Sequence, residues 1–199
     1  RTFWESGDDA PTALNALGMP NPGIQVSVDF LASIKQKMSD KGFLGRISIA
    51  GFSPDEYEEL ATCIRFLHGH FYHVELNLGC PNVRDGDVQH KIISFNPKMV
   101  DEVIRRVWKV YDTIGLSIGV KLSPYSDPYL LNEVASVIAG HGNRVDHVVT
   151  CNTFPNAIGF DNDGGLITSN PNGYAGLSGS AMKHIALGQV RQLREALPK

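Results

Sequence analysis

The sequence is short of cysteine. It has three, Cys63, Cys80 and Cys151. An odd number without close spacing argues against a disulfide framework, fits a reducing compartment such as the cytoplasm, and leaves no paired ligands for a zinc site. Charge of either sign is also not in excess. The net charge of −3 gives no electrostatic footing for nucleic acid or an anionic membrane as partner. No apolar run approaches the ~20 residues that a membrane-spanning helix needs, and neither a secretory signal nor a basic presequence is visible. No G-x-G-x-x-G follows a strand-like run, which removes the best sign of a dinucleotide-binding open sheet. The first residue is Arg1 rather than Met, as expected of a processed or truncated piece.

What is present suits an ordinary core: 42% apolar and 9% aromatic residues in 199, enough for one domain, 1–199. After residue 24 an alternating order sets in. Residues 24–42 read as a helix ending near Gly42, and Arg46–Phe52 as a β-branched strand. Ser53-Pro54-Asp55-Glu56 carries a cap, a first-turn proline and a capping box. Tyr57, Leu60, Ala61, Ile64 and Leu67 then recur at helical spacing. The runs YHVELNL, LSIGVKL and VDHVVTC are further strands. Between them, Asn96-Pro97 opens a helix with Val100, Val103, Ile104, Val107 and Val110 on one face, and Asp127-Pro128 opens another. A Gly/Asn-rich loop, Asn152 to Gly179, leads to a last helix near Met182 to Leu197.

Strands alternating with helices imply βαβ units and a parallel α/β sheet, and the nearly continuous apolar strands imply cover on both faces. A doubly wound sheet and a (β/α)8 TIM barrel compete. Asn77 and Cys80 end the second strand, Lys121 the third, and Cys151, Asn152 and Thr153 the fourth. Contributions from several strand ends to one rim favour the barrel. Four clear strands against the eight of a closed barrel predict a fold that is incomplete as given.

Cys80 lies past a strand end, after a glycine and before a turn-fixing proline, with Asn77 and Asn82 beside it. A free cysteine is usually a small buried hydrophobe, but a polar loop explains core filler poorly, and a thiol there can act as nucleophile, acid or base. Lys121 interrupts an apolar strand, either to reach a partner at the rim or to snorkel to solvent. Asn15, Asn21, Asn77, Asn82 and Asn152 all fall in turn-like contexts. Singly they are ordinary turn residues; together they suit a flat, amide-rich heterocycle. His68, His70 and His73 resemble a metal cluster but sit at the opposite end from the rim, so no metal is expected. Cys63, on an amphipathic helix, is read as structural. Gly176–Gly179 precedes a helix start, where free backbone N–H groups suit a phosphate.

With these residues located, the sequence resembles the dihydroorotate dehydrogenase family, in its soluble class with a catalytic cysteine. NALGMPNPG (Asn15–Gly23), NLGCPN, VKLSPYSD, CNTFPNA and AGLSGSAMKHIAL stand in the family's order along nearly the whole chain. The resemblance implies a TIM-barrel flavoprotein that uses FMN to oxidise dihydroorotate to orotate in pyrimidine biosynthesis. It implies Cys80 as the base taking the C5 proton while hydride leaves C6 for the flavin. It implies substrate contacts from Asn15, Leu17, Gly18, Met19, Asn77, Asn82, Asn152 and Thr153, and FMN contacts from Asn77, Lys121, Cys151 and Gly179. A homodimer using fumarate is the expected form; the alternatives are an enzyme linked to NAD through an iron–sulfur subunit and a non-catalytic fragment or paralogue. A related barrel acting on another dihydropyrimidine is disfavoured by Asn82, and a cysteine hydrolase by the absence of a histidine in the rim motifs.

Two departures stand out. Gly79 replaces the family's usual serine, removing a hydroxyl beside the base. No lysine precedes Asn15, and the glycine-rich phosphate strands expected after the last helix are absent from the sequence, so FMN binding by the chain as given is expected to be poor.

Overall fold

A computed structural model describes residues 2–4, 11–43, 45–67, 71–85, 88–170 and 172–198. The chain begins with two short strands, β1 (Thr2–Trp4) and β2 (Thr12–Asn15), and a helix, α1 (Ile24–Asp40). Then come β3 (Gly45–Ile49), α2 (Pro54–Ile64) and β4 (Phe71–Asn77). Two minimal strands, β5 (Arg84–Asp85) and β6 (Val88–Gln89), form a small ribbon before α3 (Pro97–Tyr111). The remainder is β7 (Ser117–Lys121), α4 (Pro128–Gly140), β8 (Val145–Val149), β9 (Phe154–Ala157), β10 (Ala175–Gly179) and α5 (Lys183–Ala196).

The helix starts form as their sequences dictate. Ser53 accepts from the Glu56 N–H at 3.2 Å, and the Glu56 carboxylate reaches back to the Phe52 N–H at 2.7 Å, one residue before the Ser53 N–H that a capping box uses. Asn96 accepts from the Met99 N–H at 3.3 Å and Asp127 from the Tyr129 N–H at 2.9 Å, each just before a proline at the first helical turn. On α3 the buried stripe is Val100, Val103, Ile104, Val107 and Tyr111. Val110, expected on that face, is only partly covered. Tyr111 takes the next position four residues on from Val107 and donates its hydroxyl to the Ala61 carbonyl at 3.2 Å.

β3, β4, β7 and β8 make a parallel sheet in that order. Strands added sequentially on one side, with no reversal of order, describe an arc of a (β/α)8 barrel and not a doubly wound sheet with a switch point. Ile49, Val74, Leu76, Ile118 and Val120 face the helices and join the core cluster. The opposite face differs from the expectation of apolar cover on both sides. Register places Arg46 beside His73, Ser48 beside Glu75, Asn77 beside Lys121 and Gly119 beside His147. Some of these inner-face groups bond one another, as in Ser48 Oγ to Glu75 Oε1 at 2.8 Å and His73 Nδ1 with Ser117 Oγ at 2.7 Å.

The expected loop 152–179 contains β9 and β10. They join β2 and β1 in an antiparallel sheet of order β1-β2-β10-β9. Neither FPNA nor AGLSG has strand-like alternation; pairing with β2 from Gly176↔Asn15 to Gly179↔Thr12 holds β10 extended. This second sheet brings Asn15 to the C-terminal ends of the parallel strands.

Candidate active site

Asn77 is the last residue of β4, and its carbonyl accepts from the buried Tyr57 hydroxyl at 2.7 Å. Beyond it the ends of β4 and β7 are drawn together. The Leu78 N–H donates to the Lys121 carbonyl at 2.9 Å, and the Ser123 hydroxyl to the Gly79 carbonyl at 3.0 Å. Gly79 permits this. A Cβ there would lie 2.5 Å from the Ser123 nitrogen and 2.6 Å from the Leu122 carbonyl carbon. Its glycine is therefore required by the close approach of two backbones, a reason the sequence motif does not reveal.

Two amide pairs organise the rim. Asn152 Nδ2 donates to Asn77 Oδ1 at 3.0 Å, and Asn82 Nδ2 to Asn15 Oδ1 at 3.1 Å. Asn152 is itself fixed by its N–H to the Leu122 carbonyl at 2.7 Å, and its side chain accepts from the Thr153 N–H at 2.9 Å. The Thr153 hydroxyl is buried without a hydrogen-bond partner among the described residues. It lies against Gly176, where a Cβ would meet Thr153 Oγ1 at 2.2 Å and Asn82 Nδ2 at 2.9 Å.

The loop after β2 lies over this rim. Met19 Sδ approaches Asn77 Nδ2 at 3.9 Å, and Gly18, at φ +65°, passes close to the Asn82 carbonyl. Leu17 is 54% exposed. Asn21 uses its amide within its own turn, to the Met19 carbonyl and from the Gly23 N–H, both at 2.8 Å, which is the ordinary turn role. Gly179, at φ +85°, has its own reason to be glycine: a Cβ there would lie 2.2 Å from the Pro11 carbonyl oxygen. The next N–H, of Ser180, donates to that oxygen at 3.1 Å.

Cys80 is half-buried at the mouth of a cavity of about 20 Å³ that Met19, Tyr57, Asn77 and His90 also line. Burial pushes its thiol above the ordinary range; a hydrogen bond from the Asn82 backbone and the charge of Lys121 pull the other way and do not prevail. Cys151 is raised for the same first reason and likewise opposed by a Thr150 hydrogen bond and by Lys121. One ammonium thus acts on both thiols. His90, absent from the motifs, shares the Cys80 cavity, with its ring stacked on Phe52 at 4.6 Å between centroids. Cys63 is exposed on α2.

Sequence reasoning also missed Gln189. It is 3% exposed on α5. Its Nε2 donates to the Ser123 carbonyl at 2.9 Å and to the Thr150 carbonyl, and its Oε1 accepts from the Tyr125 N–H at 2.9 Å. It clamps the loops after β7 and β8, one residue before Cys151. The available signal was its four-residue spacing from the buried Leu193, a polar residue on an apolar helix face. His68 and His70 lie outside the described residues, while His73 is buried inside the sheet at the start of β4.

A family model described as dihydroorotate dehydrogenase matches residues 3–199. A protein of Streptococcus uberis named provisionally as dihydroorotate dehydrogenase A (fumarate) is 30% identical over 193 residues, covering 94% of this chain and 57% of its own length. A protein of Streptococcus pneumoniae with the corresponding name is 27% identical over 187 residues, covering 93% of this chain and 55% of its own. Among solved structures, DHODH from Eimeria tenella in complex with ferulenol superposes with a TM-score of 0.69 at 16% identity, over 95% of this chain and 53% of that one. The chain spans about half the length of the curated relatives it matches.

Proposed function

We propose that this chain, which belongs to the dihydroorotate dehydrogenase family, serves the FMN-dependent oxidation of dihydroorotate to orotate, with Cys80 as base and fumarate as electron acceptor. The observation that carries the reading is the convergence on one rim of a half-buried thiol, two asparagine pairs and a lysine that acts on the thiol. Residues 1–199 are taken as one partial barrel domain. A homodimer in the cytoplasm belongs to the same proposal; among the described residues no helix is long and apolar enough to cross a membrane.

The rim's chemistry suits a flavin. The buried Thr153 hydroxyl lacks a partner among the described residues, and it adjoins amides and the Lys121 side of the sheet. Asn77, Lys121, Cys151 and Gly179 are the groups that would hold FMN, which when bound supplies the acceptor for hydride from C6. Asn15, Asn77, Asn82 and Asn152 offer amide donors and acceptors to the carbonyl and N–H groups of a flat dihydropyrimidine. On the same reading Leu17, Gly18 and Met19 would contact the substrate, and of these Met19 lines the Cys80 cavity. Cys80 Sγ takes the C5 proton. For that it must be a thiolate, which the Asn82 N–H and the Lys121 charge favour and burial opposes. Lys121 also stabilises negative charge developing on a ring beside it.

The test is anaerobic mixing of flavin-loaded protein with dihydroorotate while following flavin absorbance. Bleaching is expected, lost in Cys80→Ala and kept in Cys63→Ala. A protein, full-length form included, that neither carries FMN nor takes it up refutes the reading. Reoxidation by fumarate but not by NAD with an iron–sulfur partner supports the acceptor named; the opposite result selects the NAD-linked type.

A further inference from the structure

The inner face of the sheet carries a second cluster, well away from the rim. His73 lies four residues before Asn77 on β4, about 13 Å along an extended strand. β7 offers small residues, Ser117 and Gly119, between His73 of β4 and His147 of β8. The two imidazoles lean across that gap until their centroids are 3.9 Å apart at 35°. Gly119 makes the space: a Cβ there would fall 2.3 Å from His147 Cε1 and 2.7 Å from His73 Nε2. Asp146 closes the group, its Oδ1 standing 2.9 Å from His147 Nδ1 and 3.6 Å from His73 Nδ1.

We propose that His73, Asp146 and His147 form a binding site for a borderline divalent ion of the zinc, cobalt or nickel kind. One donor atom from each residue lies within 4.8 Å of the others. Metal–ligand bonds of about 2.0–2.1 Å place tetrahedral ligands about 3.4 Å apart, and the two spacings to Asp146, 2.9 and 3.6 Å, bracket that value; binding would turn the two rings and exchange the 2.7 Å contact of His73 Nδ1 with Ser117 Oγ for the ion. Two imidazoles and one carboxylate suit these ions better than magnesium or calcium, which prefer all-oxygen sets. His73 is 1% exposed, while Asp146 and His147 line a cavity of about 610 Å³ beside β8. A bound ion would tie β4 to β8 across β7 and reinforce the inner face independently of the rim.

The test is calorimetric titration of tag-free protein with zinc and cobalt salts, beside thermal unfolding and the cobalt spectrum. One equivalent is expected, with a spectrum free of thiolate charge-transfer bands. The unfolding temperature should rise by about 5–10 °C at a hundredfold excess over Kd. Asp146→Asn and His147→Gln, checked for folding by circular dichroism, should each weaken binding at least about tenfold, while Cys80→Ala binds as the parent does. Asp146 is at the surface, so its variant carries the test if His147→Gln fails to fold. Parent-like affinity in the folded variants overturns the proposal. So do absence of stoichiometric binding and a thiolate spectrum lost with the cysteines.

Discussion

Placing a serine at position 79 is expected to damage this chain, and the size of the effect follows from the backbone. A Cβ on Gly79 would sit 2.5 Å from the Ser123 nitrogen, 2.6 Å from the Leu122 carbonyl carbon and 2.8 Å from its oxygen. Relief requires the ends of β4 and β7 to part by about 1 Å, since unstrained contacts between such atoms run to roughly 3.5 Å. Both ends are pinned. Asn152 N–H to the Leu122 carbonyl at 2.7 Å holds β7 to the next loop. Ser123 Oγ to the Gly79 carbonyl at 3.0 Å and Ser123 N–H to Ser94 Oγ at 3.2 Å hold the strand ends to each other and to the loop before α3. Overpacking costs about 1–3 kcal/mol, and a buried hydrogen bond lost in the adjustment adds about 1 kcal/mol, giving about 3 kcal/mol. With a urea m-value of about 2 kcal/mol/M, the unfolding midpoint falls by about 1.5 M. Gly79→Ala shares the Cβ but not the hydroxyl, so both variants should shift alike. Equilibrium urea unfolding followed by tryptophan fluorescence measures both. A serine variant with the parental midpoint refutes the reasoning.

Gln189→Leu keeps the volume but strands the Ser123 and Thr150 carbonyls and the Tyr125 N–H, and should cost about 2–4 kcal/mol in urea unfolding; a change below ~1 kcal/mol would deny the clamp. Iodoacetamide alkylation of Cys80 should rise with pH to a midpoint above that of an ordinary thiol. Lys121→Met should move that midpoint further up, because it removes a charge that favours the thiolate; an unmoved midpoint would show that the lysine does not act on the sulfur. His141, buried beside Asp101, has a folded pKa held below 6.5, first by burial. The unfolded chain binds its proton more readily, so this contribution to stability is complete above pH 6.5 and is lost as pH falls toward the lowered value. His141→Gln should flatten the decline of the unfolding temperature between pH 7 and 5, and an unchanged slope would exclude His141 as its source.

Elements with a strong local cause were legible in the sequence. Ser53, Asn96 and Asp127 announce their helices by cap and proline, and spacing finds the α3 stripe apart from its end, where Tyr111 and not Val110 is buried. Position at a strand end was enough to bring Asn77, Cys80, Lys121, Asn152 and Thr153 to one rim. What local pattern did not carry was long-range pairing. β9 and β10 are strands because β2 is there to receive them, so their own residues read as loop. Gln189 and the His73–His147 contact depend on which elements become neighbours, and Gly79 depends on a backbone approach from another unit. The same blindness covers electrostatics: the neighbours of Cys80 were identified, but the burial that outweighs them is a property of the packed chain.

The pairing of β2 with β10 bears on the order in which the molecule can be made. Thr12 has Gly179 as its register partner, and the Thr12 and Ser180 hydroxyls that bond at 3.0 Å are 168 residues apart in sequence. On the ribosome, β2 emerges early and has β1 beside it, but not the strand that completes its other edge. The parallel units can zip up one after another as they appear, whereas β2, which positions Asn15, must wait for β10 and the closing of a very long loop, with the entropy cost that carries. The Asn15–Asn82 pair therefore cannot form until β10 has been made, and until then that edge of β2 is open and needs protection.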